Sequence, residues 1–281
     1  MSHALEFLKG HGTENDFVLL PDPDGTRLDD FAPELVAAIC DRRAGIGADG
    51  VLRVVRSAAF DDPAAVAVRG EAEWFMDYRN ADGSVSEMCG NGIRVFGRYL
   101  ADHEGVPTDR ALPIGTRDGV KTLTFDGDQV TVDMGTPKLL GETKVGVSGR
   151  HWSAVHVSMG NPHAVAFVDS LSDAGSLLET PSFDADVYPE GVNIEFVVRR
   201  ASGHLAMRVH ERGSGETRSC GTGACAVIVA AALGDGKVRD ATYTVDVPGG
   251  RLSLAWTAED RVLLTGPAVL VATGEVDRDA L

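Results

Sequence analysis

Ser219-Cys220-Gly221-Thr222-Gly223 leads straight into Ala224-Cys225-Ala226-Val227-Ile228-Val229-Ala230-Ala231-Ala232-Leu233, and this stretch decides how the chain must fold. Cysteine before Gly-x-Gly marks a turn. The run after it reads as a helix without a polar face. Such a helix must be buried on every side, and a wrapping of β-sheet satisfies that. The turn occurs twice. Met88-Cys89-Gly90-Asn91-Gly92 lies 131 residues earlier and opens a second helical segment.

The match extends outward from the two cysteines. Shifted by 131, the chain aligns with itself without a gap from about 75–135 onto 206–266. Met76 falls on Met207, Gly90 on Gly221, Gly92 on Gly223, Gly119 on Gly250 and Gly135 on Gly266. Most matches are glycines, which mark backbone that a side chain would block, so chain geometry is what repeats. A repeat this long means two duplicated domains rather than a solenoid of short units. The expected division is residues 1–134, completed by 268–281, and residues 135–267. The repeat boundary lies near 135–150, where Gly135-Thr136-Pro137 and Gly141 interrupt the pattern, and 268–276 is expected to return as a strand to the first domain.

Helices are expected at 32–42, 91–103 and 222–234. Strands are expected at 17–20, 51–55, 74–78, 122–125, 130–133, 152–157, 164–168, 192–198, 205–209, 243–247, 251–256 and 262–265, short β-branched runs bounded by Gly, Pro, Asn or Asp. In the helix after Cys89, Arg94 and Arg98 stand beside Ile93, Val95, Phe96, Tyr99 and Leu100, so one side is expected to stay polar.

At 281 residues the chain suits two domains of ordinary size, each able to bury a core. A net charge of −16 repels nucleic acid and anionic membrane but admits a small anionic ligand held by local donors. The longest apolar run, 224–233, is half a membrane span. Met1 to Phe7 lacks the basic-then-apolar pattern of a signal peptide, and the four cysteines read as intracellular thiols. A cytoplasmic protein is the expectation, with the oligomeric state open between monomer and homodimer.

The cysteine positions carry chemistry. The first turn of a helix has unsatisfied N–H groups and a partial positive charge, which stabilise a thiolate and lower its pKa. The same amides, made approachable by Gly90, Gly92, Gly221 and Gly223, form a site for a carboxylate. Two such turns facing one ligand would set a sulfur on each face of the carbon beside the carboxylate. Inverting a stereocentre requires that arrangement: a base on one face and an acid on the other. Cys40 and Cys225 read as small buried hydrophobes. No histidine pair completes a zinc site around Cys220 and Cys225, so no metal is expected. Gly45-Ile46-Gly47-Ala48-Asp49-Gly50 matches a dinucleotide fingerprint but follows a helix and precedes a strand, the wrong order.

With these residues in view, the chain resembles diaminopimelate epimerases over nearly its whole length. The resemblance is carried by Gly12-Thr13-Glu14-Asn15-Asp16-Phe17, Asn80-Ala81-Asp82-Gly83-Ser84, Met159-Gly160-Asn161-Pro162-His163, Val192-Asn193, 211–217, the two cysteine turns, Pro248-Gly249-Gly250 and Thr265-Gly266-Pro267-Ala268. It implies an α+β fold of two pseudo-symmetric domains, each a central helix enclosed by mostly antiparallel sheet. It implies a cofactor-independent enzyme that interconverts LL- and meso-2,6-diaminopimelate, on the route to lysine and peptidoglycan. Cys89 and Cys220 are then the acid/base thiols, and Gly90, Asn91, Gly221 and Thr222 hold the reacting carboxylate. Asn15, Asn80, Asn161, Asn193, Glu211 and Arg212 hold the rest of the substrate, while His163 and Glu211 tune the thiols. Two departures stand out: Gly50 replaces a Gln found in many members, and Thr222 replaces the commoner Ser.

The break in the repeat bears on the substrate. Glu211 and Arg212 have the same offset from Cys220 as Asn80 and Ala81 from Cys89. Arg212 suits a second carboxylate and Glu211 an ammonium, as a doubly headed amino acid requires. Two other readings remain. A racemase for a cyclic amino acid such as proline leaves Glu211 and Arg212 without a task. An amino-acid-binding or thiol redox-sensing protein explains paired thiols but not paired Gly-x-Gly cradles.

Overall fold

The computed structural model describes residues 4–28 and 31–281; of the N-terminal stretch read for a signal peptide, residues 1–3 lie outside it. The fold is mixed α and β, dominated by sheet, with two compact units: Met1–Val132 with Pro267–Leu281, and Asp133–Gly266. Helices α1 (Pro33–Cys40), α2 (Pro63–Val68) and α3 (Gly90–His103) belong to the first unit, and α4 (Gly221–Gly234) belongs to the second.

In the first unit, strand Ala4–Gly12 pairs antiparallel with Val269–Asp277 on one side and Asn15–Pro21 on the other. Asn15–Pro21 runs parallel to Gly50–Arg56, which is antiparallel to Trp74–Asn80. Trp74–Asn80 runs parallel to Leu112–Thr116, and two hairpins add Gly119–Asp126 and Gln129–Asp133. The second unit repeats this order and sense of pairing. Lys138–Val147, Arg150–Ser158 and Pro162–Phe167 are antiparallel neighbours. Pro162–Phe167 runs parallel to Asn193–Ala201, which is antiparallel to His204–Glu211. His204–Glu211 runs parallel to Ala241–Val247, and hairpins add Gly250–Trp256 and Val262–Pro267.

Each unit folds its sheet around one helix. α3 packs against Ala4–Gly12, Asn15–Pro21, Gly50–Arg56, Trp74–Asn80 and Val269–Asp277, and α4 against Arg150–Ser158, Pro162–Phe167, Asn193–Ala201, Ala241–Val247 and Gly250–Trp256. Ala224 to Ala232 of α4 are all buried, as its uniform apolarity requires. The polar side expected for α3 is absent at Arg94, which is 0 % exposed and donates from Nη1 to the Gly90 carbonyl at 3.0 Å. The guanidinium folds back along its own helix, so the arginine ends its first turn from inside.

Among the described residues, five strands lie outside the sequence expectation: Ala4–Gly12, Leu112–Thr116, Lys138–Val147 and the short Ser182–Phe183 and Gly215–Thr217. Lys138–Val147 is exposed over its first five residues and kinks between Leu139 and Gly141, where Gly141 has φ 107°. Its pairing with Arg150–Ser158, rather than its own pattern, makes it a strand. Of the two interruptions read there, Gly141 marks a β-bulge, whereas Gly135-Thr136-Pro137 follows closely on the division between the units at Val132 and Asp133.

Candidate active site

Each unit carries one of the candidate thiols at a helix start. Cys89 and Cys220 are the N-cap residues of α3 and α4, with extended backbone, and each sulfur accepts from the amide three residues on: Gly92 N at 3.4 Å, Gly223 N at 3.3 Å. The position favours a side-chain acceptor for an orphan N–H. Here the acceptor is itself an acid. Gly90 and Gly221 are the first residues of the two helices. All four cysteines are thiols, none in a disulfide. Cys40 and Cys225 are buried, and burial pushes Cys40 up to about 12, which leaves it inert at neutral pH.

In the first unit, Asn15, Cys89 and Asn91 meet. The Asn15 Oδ1 accepts from Asn91 Nδ2 at 3.1 Å and lies 3.7 Å from Cys89 Sγ. Asn15 is aimed by Asp49, which accepts its Nδ2 at 2.7 Å and is itself held by Arg42 at 2.8 Å. Asn80 does not join that group. It stands beside Gly50 across the antiparallel ladder and donates to Ser84 Oγ at 2.9 Å. A Cβ at Gly50 would lie 2.5 Å from the Arg79 carbonyl and 2.7 Å from the Tyr78 ring. A Gln in place of Gly50 therefore cannot enter here without moving that strand.

In the second unit, Asn161, His163, Cys220 and Thr222 form one chain of contacts. Thr222 Oγ1 is 3.5 Å from Cys220 Sγ and accepts from Asn161 Nδ2 at 3.3 Å. Asn161 Oδ1 takes His163 Nε2 at 2.9 Å, and His163 Nδ1 meets Glu195 Oε1 at 2.7 Å. Asn193 and Arg212 meet through the backbone: Arg212 N donates to Asn193 Oδ1 at 2.9 Å, and Asn193 Nδ2 donates to the Pro162 carbonyl at 3.2 Å. Among the described residues, the exposed Arg212 guanidinium hydrogen-bonds the Glu190 carbonyl, at 3.4 Å. Glu211 accepts from the Thr217 hydroxyl. Among the described residues, no group of three His, Cys, Asp or Glu side chains is placed to hold a metal ion.

The lowered thiol expected at a helix start does not hold for Cys220. Burial pushes it well above the ordinary thiol value, and the carboxylates of Glu211 and Glu195 push it further. The Thr222 hydroxyl and the Gly223 amide act the other way and are outweighed. Cys220 is 5 % exposed, and desolvating a sulfur anion costs more than one helix turn returns.

Glu195 is the residue that reading by motif misses. Its signal is a single charge in the apolar run Ile194–Val198, alternating in phase with Asn193 on one strand face. Its carboxylate also explains the second glycine of the turn. A Cβ at Gly223 would lie 2.7 Å from Glu195 Oε1 and 3.2 Å from Cys220 Sγ, whereas the nearest atoms to one at Gly92 are Leu52 and Phe17 carbons and the Cys89 Cβ, at 3.3–3.4 Å. Gly223→Ala is therefore expected to lose about 1–3 kcal/mol by overpacking. Gly92→Ala is expected to stay within about 1 kcal/mol of the parent, because helix propensity offsets mild crowding. Urea unfolding of the two variants checks the difference, and equal losses would refute it.

A family model described as diaminopimelate epimerase matches residues 7–140 and 155–271. The diaminopimelate epimerase of Streptomyces coelicolor is 58% identical, covering 99% of this chain and 97% of its own. That of Thermobifida fusca is 48% identical, covering 99% and 100%. Among solved structures, a Bacillus anthracis phenazine biosynthesis protein of the PhzF family is similar with a TM-score of 0.70 at 15% identity, covering 97% and 99% of the two chains. A hydroxyproline epimerase from Agrobacterium vitis gives 0.70 at 14%, covering 98% and 94%. At such identities these two establish the shared fold alone. Among the described residues, no helix is long and apolar enough to cross a membrane.

Proposed function

Because the chain belongs to the diaminopimelate epimerase family, we propose that it interconverts LL- and meso-2,6-diaminopimelate without a cofactor, using Cys89 and Cys220 as the two acid/base groups, in the formation of lysine and peptidoglycan precursors. One observation carries the mechanism: the same N-cap cysteine, with the same Gly-x-Gly amides, on the central helix of each unit. An α-hydrogen is a very weak acid, so the base must be helped by stabilising the carbanion. Amides aimed at the neighbouring carboxylate give that help, in the manner of an oxyanion hole. Gly90, Asn91, Gly221 and Thr222 supply these donors in this reading. Fixed placement of sulfur against carbon contributes up to roughly 7–11 kcal/mol. Cys220, pushed up by its surroundings, rests as a thiol and is poised to give a proton; its thiolate forms in the opposite direction of the reaction.

The remaining binding roles follow from charge. Arg212 presents a guanidinium for the distal carboxylate and Glu211 a carboxylate for an ammonium, with Asn15, Asn80, Asn161 and Asn193 as neutral partners. A one-headed cyclic amino acid gives Arg212 nothing to hold. The test is incubation of the purified protein with LL-diaminopimelate in D2O, with no cofactor added. Deuterium at one α-carbon together with meso product is the expected result. Absence of exchange would overturn the proposal, and exchange with proline instead would move the chain to the cyclic-amino-acid reading.

A further inference from the structure

The second repeat carries an ionisable pair where the first carries hydrocarbon. In the first unit the parallel strands place Phe17 beside Gly50, and in the second they place His163 beside Asn193. Superposing the two pairs sets Asn161 on Asn15, His163 on Phe17 and Glu195 on Leu52. The helix glycines agree. The Cβ position of Gly92 is nearest Leu52, Cys89 and Phe17, and that of Gly223 is nearest Glu195. Phe17, Leu52, His163 and Glu195 are all 0 % exposed. Burying a carboxyl and an imidazole costs stability unless each is fully bonded, and among the described residues Glu195 Oε2 has no hydrogen-bond partner. The first unit fills the same place with a phenyl ring and a leucine, so packing does not require the pair.

We propose that Glu195 is a positioning residue that acts through His163, Asn161 and Thr222 to set how readily Cys220 gives up its proton. The contacts form a line with two polarities. When the Glu195–His163 pair holds a proton on each ring nitrogen or on the carboxyl, Nε2–H donates to Asn161 Oδ1. Asn161 Nδ2 then donates to Thr222, and the Thr222 hydroxyl donates to Cys220 Sγ. Every donor points at the sulfur and favours the thiolate. When Glu195 is ionised and His163 neutral with its proton on Nδ1, Nε2 becomes an acceptor. The Asn161 amide turns over, and Cys220 S–H becomes the donor to Thr222. The charge itself has the same sign of effect, since an ionised Glu195 repels a thiolate on Cys220. The groups facing this line are Glu211 from strand His204–Glu211, His156 from strand Arg150–Ser158, whose own proton is disfavoured by burial and by His163, and Tyr188, whose hydroxyl is held protonated by burial and by Glu195. Burial favours the protonated Glu195 carboxyl, and His163 opposes it.

This inference rests on reading Cys220 as an acid/base group, but its test reads the thiol and not turnover, so either can fail alone. The measurement is ultraviolet titration of the thiolate in the full-length protein, each form referred to its Cys220→Ser counterpart. Glu195→Gln keeps the shape and removes the charge. Its Cys220 midpoint is expected to fall by about one pH unit. In a Thr222→Val background, which interrupts the line, the same substitution is expected to move the midpoint by less than half as much. An unmoved or raised midpoint, even with stability lost, would mean a structural role only and overturn the proposal; so would equal shifts in both backgrounds. Should Glu195→Gln not fold, nitrogen-15 spectra of labelled histidine in the parent protein decide the matter. The His163 ring is expected to change at the Cys220 midpoint, and a ring silent there overturns the coupling.

Discussion

Alanine at Cys220 is expected to lower epimerisation of diaminopimelate by about a thousandfold or more, and alanine at Cys89 by as much, because a positioned acid or base supplies about 10²–10⁴ in rate. On the two-thiol reading, each direction of the reaction uses both groups: one takes the α-hydrogen and the other returns a proton on the opposite face. Removing either stops inversion in both directions, which separates this scheme from one with a single mobile base. Folding is not the cause of the expected loss. Each sulfur caps one helix amide, and losing such a cap costs about 0.5–2 kcal/mol. Cys225→Ala is the control: it is wholly buried on α4, outside the site, and should retain activity with a stability loss of about 1 kcal/mol. Rates of α-hydrogen exchange and of meso product formation, alongside thermal melts, test all three. A Cys220→Ala protein within tenfold of the parent rate would end the two-thiol scheme.

Asp22→Ala is expected to be the most damaging change to stability away from the site, by about 3–5 kcal/mol. Asp22 is 0 % exposed and takes Arg53 Nε at 2.9 Å and Nη2 at 2.5 Å on one oxygen, with the Arg27 amide at 2.9 Å on the other. Arg53 stacks on Phe60, 5.1 Å from the ring centre, and on Phe31 at 5.9 Å. Without Asp22, a buried guanidinium remains between two rings with its charge uncompensated. The unit is expected to melt roughly 10 °C lower, at about 2–4 °C per kcal/mol for domains of this size. The double variant Asp22→Ala/Arg53→Met, which removes both charges, is expected to recover part of the loss. A single variant that melts within two or so degrees of the parent would show the pair to be solvated in solution.

Much of the site was legible before any coordinates. The two cysteines, their glycines and Thr222 share short motifs, and short motifs keep their meaning locally because a helix start is a local structure. Glu195 and Asp49 were less legible. Each reaches a cysteine through another residue, from a strand or loop remote in sequence; Glu195 belongs to no recognisable spacing, and Asp49 stands only in a glycine pattern whose place between helix and strand ruled out its usual meaning. Arg94 was misread for a related reason. An arginine on a helix is usually solvated, and only the enclosing sheet makes this one fold back onto the Gly90 carbonyl. The charge state of Cys220 was misread because a helix terminus is visible in sequence, while the desolvation that outweighs it belongs to the packed unit.

The sequence by itself determined that there are two copies of one scaffold, each with a helix begun by a cysteine, and that the second of these helices is buried, because glycine turns and uniform apolarity are properties of the chain. Only the tertiary structure decided which strands complete which copy. Val269 lies 131 positions after Lys138, so the strands they begin are equivalent in the repeat. Yet Lys138–Val147 continues from the first copy and pairs in the second, while Val269–Asp277 continues from the second and pairs in the first. The two copies exchange their closing strands, since a strand's partner is set by the sheet edge it reaches and not by its own residues. The same physics gives the cysteines their difference. Matching turns make the thiols equivalent in sequence, and the side chains folded beneath them, Phe17 and Leu52 against His163 and Glu195, give them different surroundings.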